Sequence, residues 1–168
     1  MIRKAILNDL KTVKNITDAC GKAMAANGIY QWNEQYPSIE VFQQDIENEQ
    51  LYVLEFERKV IGCIMFSDFK DEVYATIEWQ IPDNKNLYIH RLAVAPEFQK
   101  QGNGKQLMDF AENYAQKHRY LSIRLDTFSQ NKRNQRFYEA RDFKRLGVVL
   151  FPEQSNEPFH CYEKILVP

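Results

Sequence analysis

The chain of 168 residues is predicted to be a single mixed α/β domain, with a mixed α+β sheet flanked by helices. Three observations predict it. Short runs rich in Val, Ile, Leu and Phe, bounded by turn residues, recur along the chain as strands. Between them lie segments whose apolar residues return every three or four positions, the period of an amphipathic helix. Finally, strand Leu87–Val94, an amphipathic helix and strand Leu121–Thr127 follow one another, an order that builds a parallel pair through a crossover helix.

The elements are justified in chain order. Ile2 to Leu7 reads as a first strand, and Asn8 or Asp9 can cap a helix. Leu10, Val13, Ile16, Cys20 and Met24 follow near helical period until Asn27-Gly28, a C-terminal stop signal. A second, short helix starts at Ser38, with Ile39, Phe42 and Ile46 on one face. Leu51–Phe56 and Val60–Phe66 are strands joined by the charged turn Glu57-Arg58-Lys59, and Val73–Ile81 is expected as a third strand of that meander. The turn-rich break Pro82–Asn86 precedes the central strand Leu87–Val94. In the next helix Leu107, Phe110, Ala111, Tyr114, Ala115 and His118 hold one face. Strand Leu121–Thr127, a short helix over Lys132–Ala140, and strands Phe143–Phe151 and Phe159–Leu166 complete the order.

Bulk properties narrow the function classes. Apolar residues make up 44% and charged residues 27%, an ordinary globular composition. The net charge of −1, without a long basic run, disfavours a nucleic-acid binder. No segment approaches the ~20 apolar residues of a membrane span, and Asn8-Asp9 interrupts any signal-peptide run at the N-terminus. Cys20, Cys63 and Cys161 are odd in number and widely spaced, as in a reduced cytoplasmic protein, and no spacing points to a metal.

The segment after the central strand carries the first chemistry. Pro96 is followed by Gln99-Lys100-Gln101-Gly102-Asn103-Gly104-Lys105 at the mouth of the amphipathic helix. Helix N-terminal N–H groups lack intrahelical partners, and the helix dipole adds positive charge there. Glycines let the backbone reach φ > 0 and approach a ligand closely. The combination is an anion cradle suited to a diphosphate. A Rossmann fingerprint would need a third glycine where Leu107 stands; a Walker A loop would need Gly at Gln99 and Ser or Thr at Gln106. Both readings fail.

What fits is Q/R-x-x-G-x-G/A, and the segment resembles the pyrophosphate loop of the GNAT superfamily of N-acetyltransferases. A second segment, Asn131 to Phe143, resembles the family pattern N-x-x-A-x-x-L/F-Y-x-x-x-G-F at Asn131, Phe137, Tyr138 and Phe143. Asn134 replaces the small residue and Asp142 the glycine, so the turn there is expected to differ. The element order is also that of the GNAT acyl-CoA N-acyltransferase fold, so the resemblance covers nearly the whole chain.

The resemblance implies acetyl-CoA as co-substrate, no metal, and a site where the central strand and its parallel neighbour splay apart. Backbone groups of Leu92, Ala93 and Val94 would pair with the pantetheine arm. The stretch Gln99, Lys100, Gln101, Gly102, Asn103, Gly104 and Lys105 would hold the pyrophosphate, and Asn131 would contact the arm from the far wall. A strand N–H near Leu92 or Ala93 would stabilise the oxyanion. Tyr138 would protonate the departing sulfur, since a phenol with pKa near ~10 is protonated at neutral pH; the plainer reading is a core tyrosine. The family glutamate on the central strand aligns with Tyr88, which is no base at neutral pH. His90, on the same strand face, and Glu78 are the candidate bases, with a water chain as the third option. The plainer reading of His90 is a packed strand histidine.

The acceptor, a small primary amine, is expected against aromatic segments: Trp32 and Tyr36 near the N-terminus, Tyr88, and Phe159 near the C-terminus. These residues also fit simple hydrophobic plugging. The Q-W-x-x-x-Y-P pattern resembles bacterial GNAT proteins. Protein acetylation, at a lysine or an N-terminus, and a non-catalytic acetyl-CoA sensor are the alternatives, with a nucleotide-phosphate binder of another type behind them. The last strands read as sheet edges, which favours a homodimer.

Overall fold

The structure is a computed structural model that describes residues 1–166. Its strands are β1 (Ile2–Lys4), β2 (Leu51–Phe56), β3 (Lys59–Ser67), β4 (Asn86–Val94), β5 (Ser122–Phe128), β6 (Lys144–Val149) and β7 (Phe159–Ile165). Its α-helices are α1 (Leu10–Ala26), α2 (Ile39–Glu47), α3 (Asn103–Lys117) and α4 (Lys132–Glu139). The strands form one mixed sheet in the order β1-β2-β3-β4-β5-β7-β6. The chain groups into two compact units: Met1–Phe66 with Arg91–Ala111, and Ser67–His90 with Glu112 onward. Strand β4 and helix α3 each run through both. No helix among the described residues is long and apolar enough to cross a membrane.

The first unit is an antiparallel meander under two helices. Strand β2 pairs with β1 and β3, and the turn Glu57-Arg58 holds both residues at positive φ, 47° and 64°. Alternation sorts the faces. Leu51 and Val53 of β2 join Cys63 and Met65 of β3 against Val13, Ile16 and Cys20 of α1 and Phe42 and Ile46 of α2. Tyr52, between them in sequence, faces the other way, stacking on Phe66 and meeting Phe110 at a tilt. The helix punctuation is local chemistry. Ser38 caps α2 by accepting from the Val41 N–H at 3.2 Å. Gly28, at φ 75°, ends α1 with Ile29 N–H bonded to Met24 O and Gly28 N–H to Ala25 O, the Schellman pattern. Arg91 of β4 makes a bidentate pair with buried Asp45 of α2 at 2.7 and 2.9 Å.

The second unit holds the parallel register Asn86↔Ser122 to Ile89↔Leu125 between β4 and β5. Strand β7 runs antiparallel to β5, from Ser122↔Ile165 to Phe128↔Phe159, and β6 pairs antiparallel with β7 at the edge. Of the two final strands only β6 is therefore an edge. Tyr138 of α4 packs against Phe143 and Tyr162, and the Tyr162 hydroxyl donates to Glu139 at 3.0 Å.

One expected element does not form. The strand expected over Val73–Ile81 is instead a 3-10 turn, Glu72–Thr76, followed by irregular chain. Asp71 caps the turn at Val73 N–H, and Tyr74 and Ile77 are buried three residues apart, a 3-10 spacing. The backbone beyond it is satisfied by side chains. The Gln80 N–H donates to Glu163 at 2.6 Å, and the Ile81 carbonyl accepts from Arg124 at 2.7 Å. Arg124, fully buried, also bonds Glu163, Asp83 and the Tyr88 hydroxyl, with the Trp79 ring 4.4 Å from its guanidinium carbon. This hub does for residues 79–83 what a ladder does for a strand.

Candidate functional site

In the first unit, the loop opening α3 has the geometry of an anion cradle. Lys100 (φ 61°) and Gly102 (φ 83°) are both left-handed. Two such residues in quick succession turn the chain sharply into the helix. A Cβ built on Gly102 would meet nothing within 4 Å, so φ, and not packing, calls for glycine. Gln106 N–H donates to Gly102 O at 2.9 Å, which is the first helical bond; the N–H groups of Asn103, Gly104 and Lys105 therefore project from the helix end.

The loop is braced by its own amides. Gln99 Nε2 donates to Val94 O at 2.9 Å, Gln101 Nε2 to Glu97 O at 3.0 Å, and Asn103 Nδ2 to Phe98 O at 2.8 Å. The motif residue Gln99 thus ties the loop to the end of β4. Cys20 Sγ also donates to Val94 O, at 3.1 Å, so both acceptor positions of that carbonyl are filled. Among the strand groups expected to pair with a cofactor arm, the Val94 carbonyl is taken out of the set; Leu92 and Ala93 stand on the same strand. Ala93 O lies 2.9 Å from where a Cβ on Gly62 would be, which makes glycine the fitting residue there. Lys105 is exposed and pairs with Asp109 at 2.6 Å.

In the second unit, the segment from β5 into α4 carries the titratable groups. Asn131 is buried and caps α4, its Oδ1 accepting from Asn134 N–H at 3.1 Å. Tyr138 is 6% exposed; burial first, and the Asp126 charge second, push its phenol above its ordinary value, so it remains a proton donor at neutral pH. Asp142 takes the left-handed conformation (φ 67°) that favours glycine.

Asp126 is the group that the sequence did not disclose. It is half-buried on β5, opposite Cys161 of β7, and accepts a hydrogen bond from the Tyr74 hydroxyl. Burial raises its carboxyl to about 6, with the Tyr74 bond opposing the rise and the Asp71 charge adding to it. The available signal was an acid in the interior of a strand, two residues from Arg124 and so on the same face.

The other expected site residues fall as follows. His90 Nε2 lies 3.0 Å from Phe69 O; a carbonyl only accepts, so that nitrogen carries the hydrogen. The His90 ring stacks on Tyr88. Tyr88 is buried, and its hydroxyl accepts from Arg124 at 2.9 Å. Glu78 is exposed in irregular chain, not on a strand. Phe159 is buried between Phe128 and Phe151. Trp32 packs on the core of the first unit, and Tyr36 forms an isolated bridge with Asn33, whose side chain accepts from the Gln35 and Tyr36 N–H groups. Among the described residues, no group of three or more His, Cys, Asp or Glu side chains could hold a metal ion.

Comparison with known proteins gives this geometry its context. The model of the Acetyltransferase (GNAT) family matches residues 15–143. A Bacillus subtilis (strain 168) protein described as the uncharacterized N-acetyltransferase YesJ is 20% identical over 162 residues, 95% of this chain and 87% of its own. The fold is similar to a GNAT-family acetyltransferase of Streptococcus agalactiae 2603, with TM-score 0.85, 21% identity and coverage of 100% and 96% of the two chains. It is also similar to the PaiA N-acetyltransferase of Thermoplasma acidophilum, solved in complex with coenzyme A, with TM-score 0.72, 21% identity and coverage of 99% and 98%. With a left-handed glycine loop before α3, a donor tyrosine on α4 and a family match across most of its length, the chain belongs to the GNAT family of acetyltransferases.

Proposed function

We propose that the protein transfers the acetyl group of acetyl-CoA directly to the primary amine of a small molecule. The observation that carries the donor half is the loop Gln99–Lys105: two left-handed residues ahead of a helix N-terminus, braced by three side-chain amides, present backbone N–H groups suited to a pyrophosphate. The coenzyme A complex of the PaiA relative supports the same reading. The family match runs through both units, which supports reading residues 1–168 as one domain.

Acetyl-CoA supplies the acetyl group as an activated thioester. The protein's own residues then manage two protons. Asp126 takes one from the acceptor ammonium, leaving a nucleophilic amine; a carboxyl at about 6 is ionised at neutral pH yet close enough to it to act as a base. As nitrogen bonds to the carbonyl carbon and the carbon–sulfur bond breaks, Tyr138 gives its proton to the leaving sulfur, and the resulting phenolate takes up the second proton that the nitrogen sheds in becoming an amide. Backbone N–H groups near Leu92 and Ala93 are the proposed stabilisers of the oxyanion. His90, beside Tyr88 on β4, is the second candidate for the base, since an unperturbed imidazole titrates near neutral pH. Glu78, exposed and outside any strand, is not in the proposed set.

For the acceptor, the reading rests on the ordered aromatic segment of the first unit. Asn33 folds that segment back on itself and sets Trp32 and Tyr36 half-buried, faces that suit a small ammonium compound. The test follows thiol release from acetyl-CoA against a panel of small amines and lysine peptides. Small amines should stimulate release; stimulation by peptides alone would replace the reading with protein acetylation. Tyr138→Phe should lower kcat by about 10²-fold or more while acetyl-CoA binding persists. Unchanged turnover would remove Tyr138 as the acid.

A further inference from the structure

We propose that Tyr74 is a positioning residue that grips Oδ2 of Asp126 and so leaves Oδ1 to receive the acceptor's proton. This rests on the assignment of Asp126 as the base. Tyr74 stands in the 3-10 turn, 52 residues from Asp126, and is 1% exposed. Its hydroxyl donates to Asp126 Oδ2, and among the described residues it is the side chain that does so. A carboxylate held by one oxygen has a fixed orientation, and its second oxygen keeps a defined lone-pair direction.

The grip is itself held in place. The Tyr74 ring meets Trp79 edge-on at 5.3 Å, and Trp79 Nε1 donates back to the Tyr74 carbonyl at 3.2 Å. Trp79 lies on the Arg124 guanidinium, which is fixed by Glu163, Asp83, Tyr88 and the Ile81 carbonyl. Asp126 and Arg124 alternate on the same face of β5. The buried arginine therefore supports the indole against which the Tyr74 ring is packed. The 3-10 turn, formed where a strand is expected from sequence, is what brings the Tyr74 hydroxyl to Asp126.

The charged and titratable groups around Asp126 are Tyr74 and Asp71 from the turn, Cys161 from β7 and Tyr138 from α4. Of these, Tyr74 is the one that favours the ionised carboxylate: a hydrogen bond to the charged form lowers a carboxyl pKa.

The experiment compares wild type and Tyr74→Phe in two readouts. One is the acidic limb of kcat/KM against pH; the other is the NMR titration of the Asp126 carboxyl carbon, which needs no turnover. Both should move to higher pH by about one unit in the variant. If neither moves, the proposal is overturned. If the NMR inflection moves and the kinetic limb does not, the grip stands and Asp126 is not the base. Trp79→Phe, which keeps a ring on Arg124 and removes only the indole donor, is the milder companion. It should move both readouts in the same direction by less; no movement in a folded Trp79→Phe protein would exclude the indole bond from the support.

Discussion

The loop Gln99–Lys105 and the Asp126–Tyr138 region are built by opposite means. The loop, in the proposed function, recognises through backbone: φ at Lys100 and Gly102, the helix end of α3, and side-chain amides that reach only a few residues along the chain. The β5–α4 region, in the same proposal, works through side chains whose properties come from far away. Asp126 accepts from Tyr74, Tyr74 packs on Trp79, and Trp79 lies on Arg124. Backbone recognition is cheap to encode and tolerant of surroundings. Proton chemistry needs burial, and burial of a charge costs stability.

That contrast can be measured. The largest effect is expected at Asp126. Its native carboxyl, at about 6, lies above the ordinary value of 3.8, so the native state binds the proton more tightly than the unfolded state. The resulting stabilisation is complete below the unfolded value and is lost as pH rises through about 6. Asp126→Asn should therefore stabilise the protein at pH 8 by up to about 3 kcal/mol and by little at pH 4, read by denaturant unfolding at both values. A gain of the same size at both would show that burial of the charge is not the cause.

Gly102→Ala probes the backbone side of the comparison. Placing a Cβ at φ 83° costs about 1–2 kcal/mol with no clash to add to it. The KM for acetyl-CoA should rise about tenfold while kcat and its pH profile are kept, since no proton-bearing group is touched. A change in the pH profile would blur the distinction between the two regions.

The smallest effect is at Asp142, a side-chain residue filling a backbone role. Asp142→Gly removes left-handed strain of about 1 kcal/mol but adds unfolded-chain entropy, for a net gain of about 0.5 kcal/mol in unfolding free energy. Loss of stability would mean that the Asp142 side chain contributes something beyond its conformation.

The same division explains what could be read from the sequence. The cap at Ser38, the stop at Gly28, the loop at Gly102 and the position of Tyr138 are local signals, each complete within a few residues, and each is found in the structure. Asp126 was not legible because its partner lies 52 residues earlier, in a stretch whose alternation reads as a strand. That stretch misled for a physical reason. Its backbone groups are bonded by Arg124 and Glu163, and nothing in Val73–Ile81 itself announces a buried arginine on β5. The bond from the same distant guanidinium to the Tyr88 hydroxyl was equally hidden in the sequence. The unexpected turn at Asp142 is the reverse case: the residue type argued against the conformation, and the surrounding bonds, Phe143 N–H to Tyr138 O and Asp142 N–H to Glu139 O, imposed it.

The hub at Arg124 also bears on how this chain can change length. Irregular surface segments ordinarily accept insertions and deletions, because nothing outside them depends on their numbering. Residues 79–83 are irregular but are counted by their neighbours: Trp79, Gln80, Ile81 and Asp83 each meet a specific atom of β5 or β7. One residue added there would shift every later contact by one place, as a register slip does in a strand. Descendants of this sequence should therefore vary the length of the chain around this stretch and not within it.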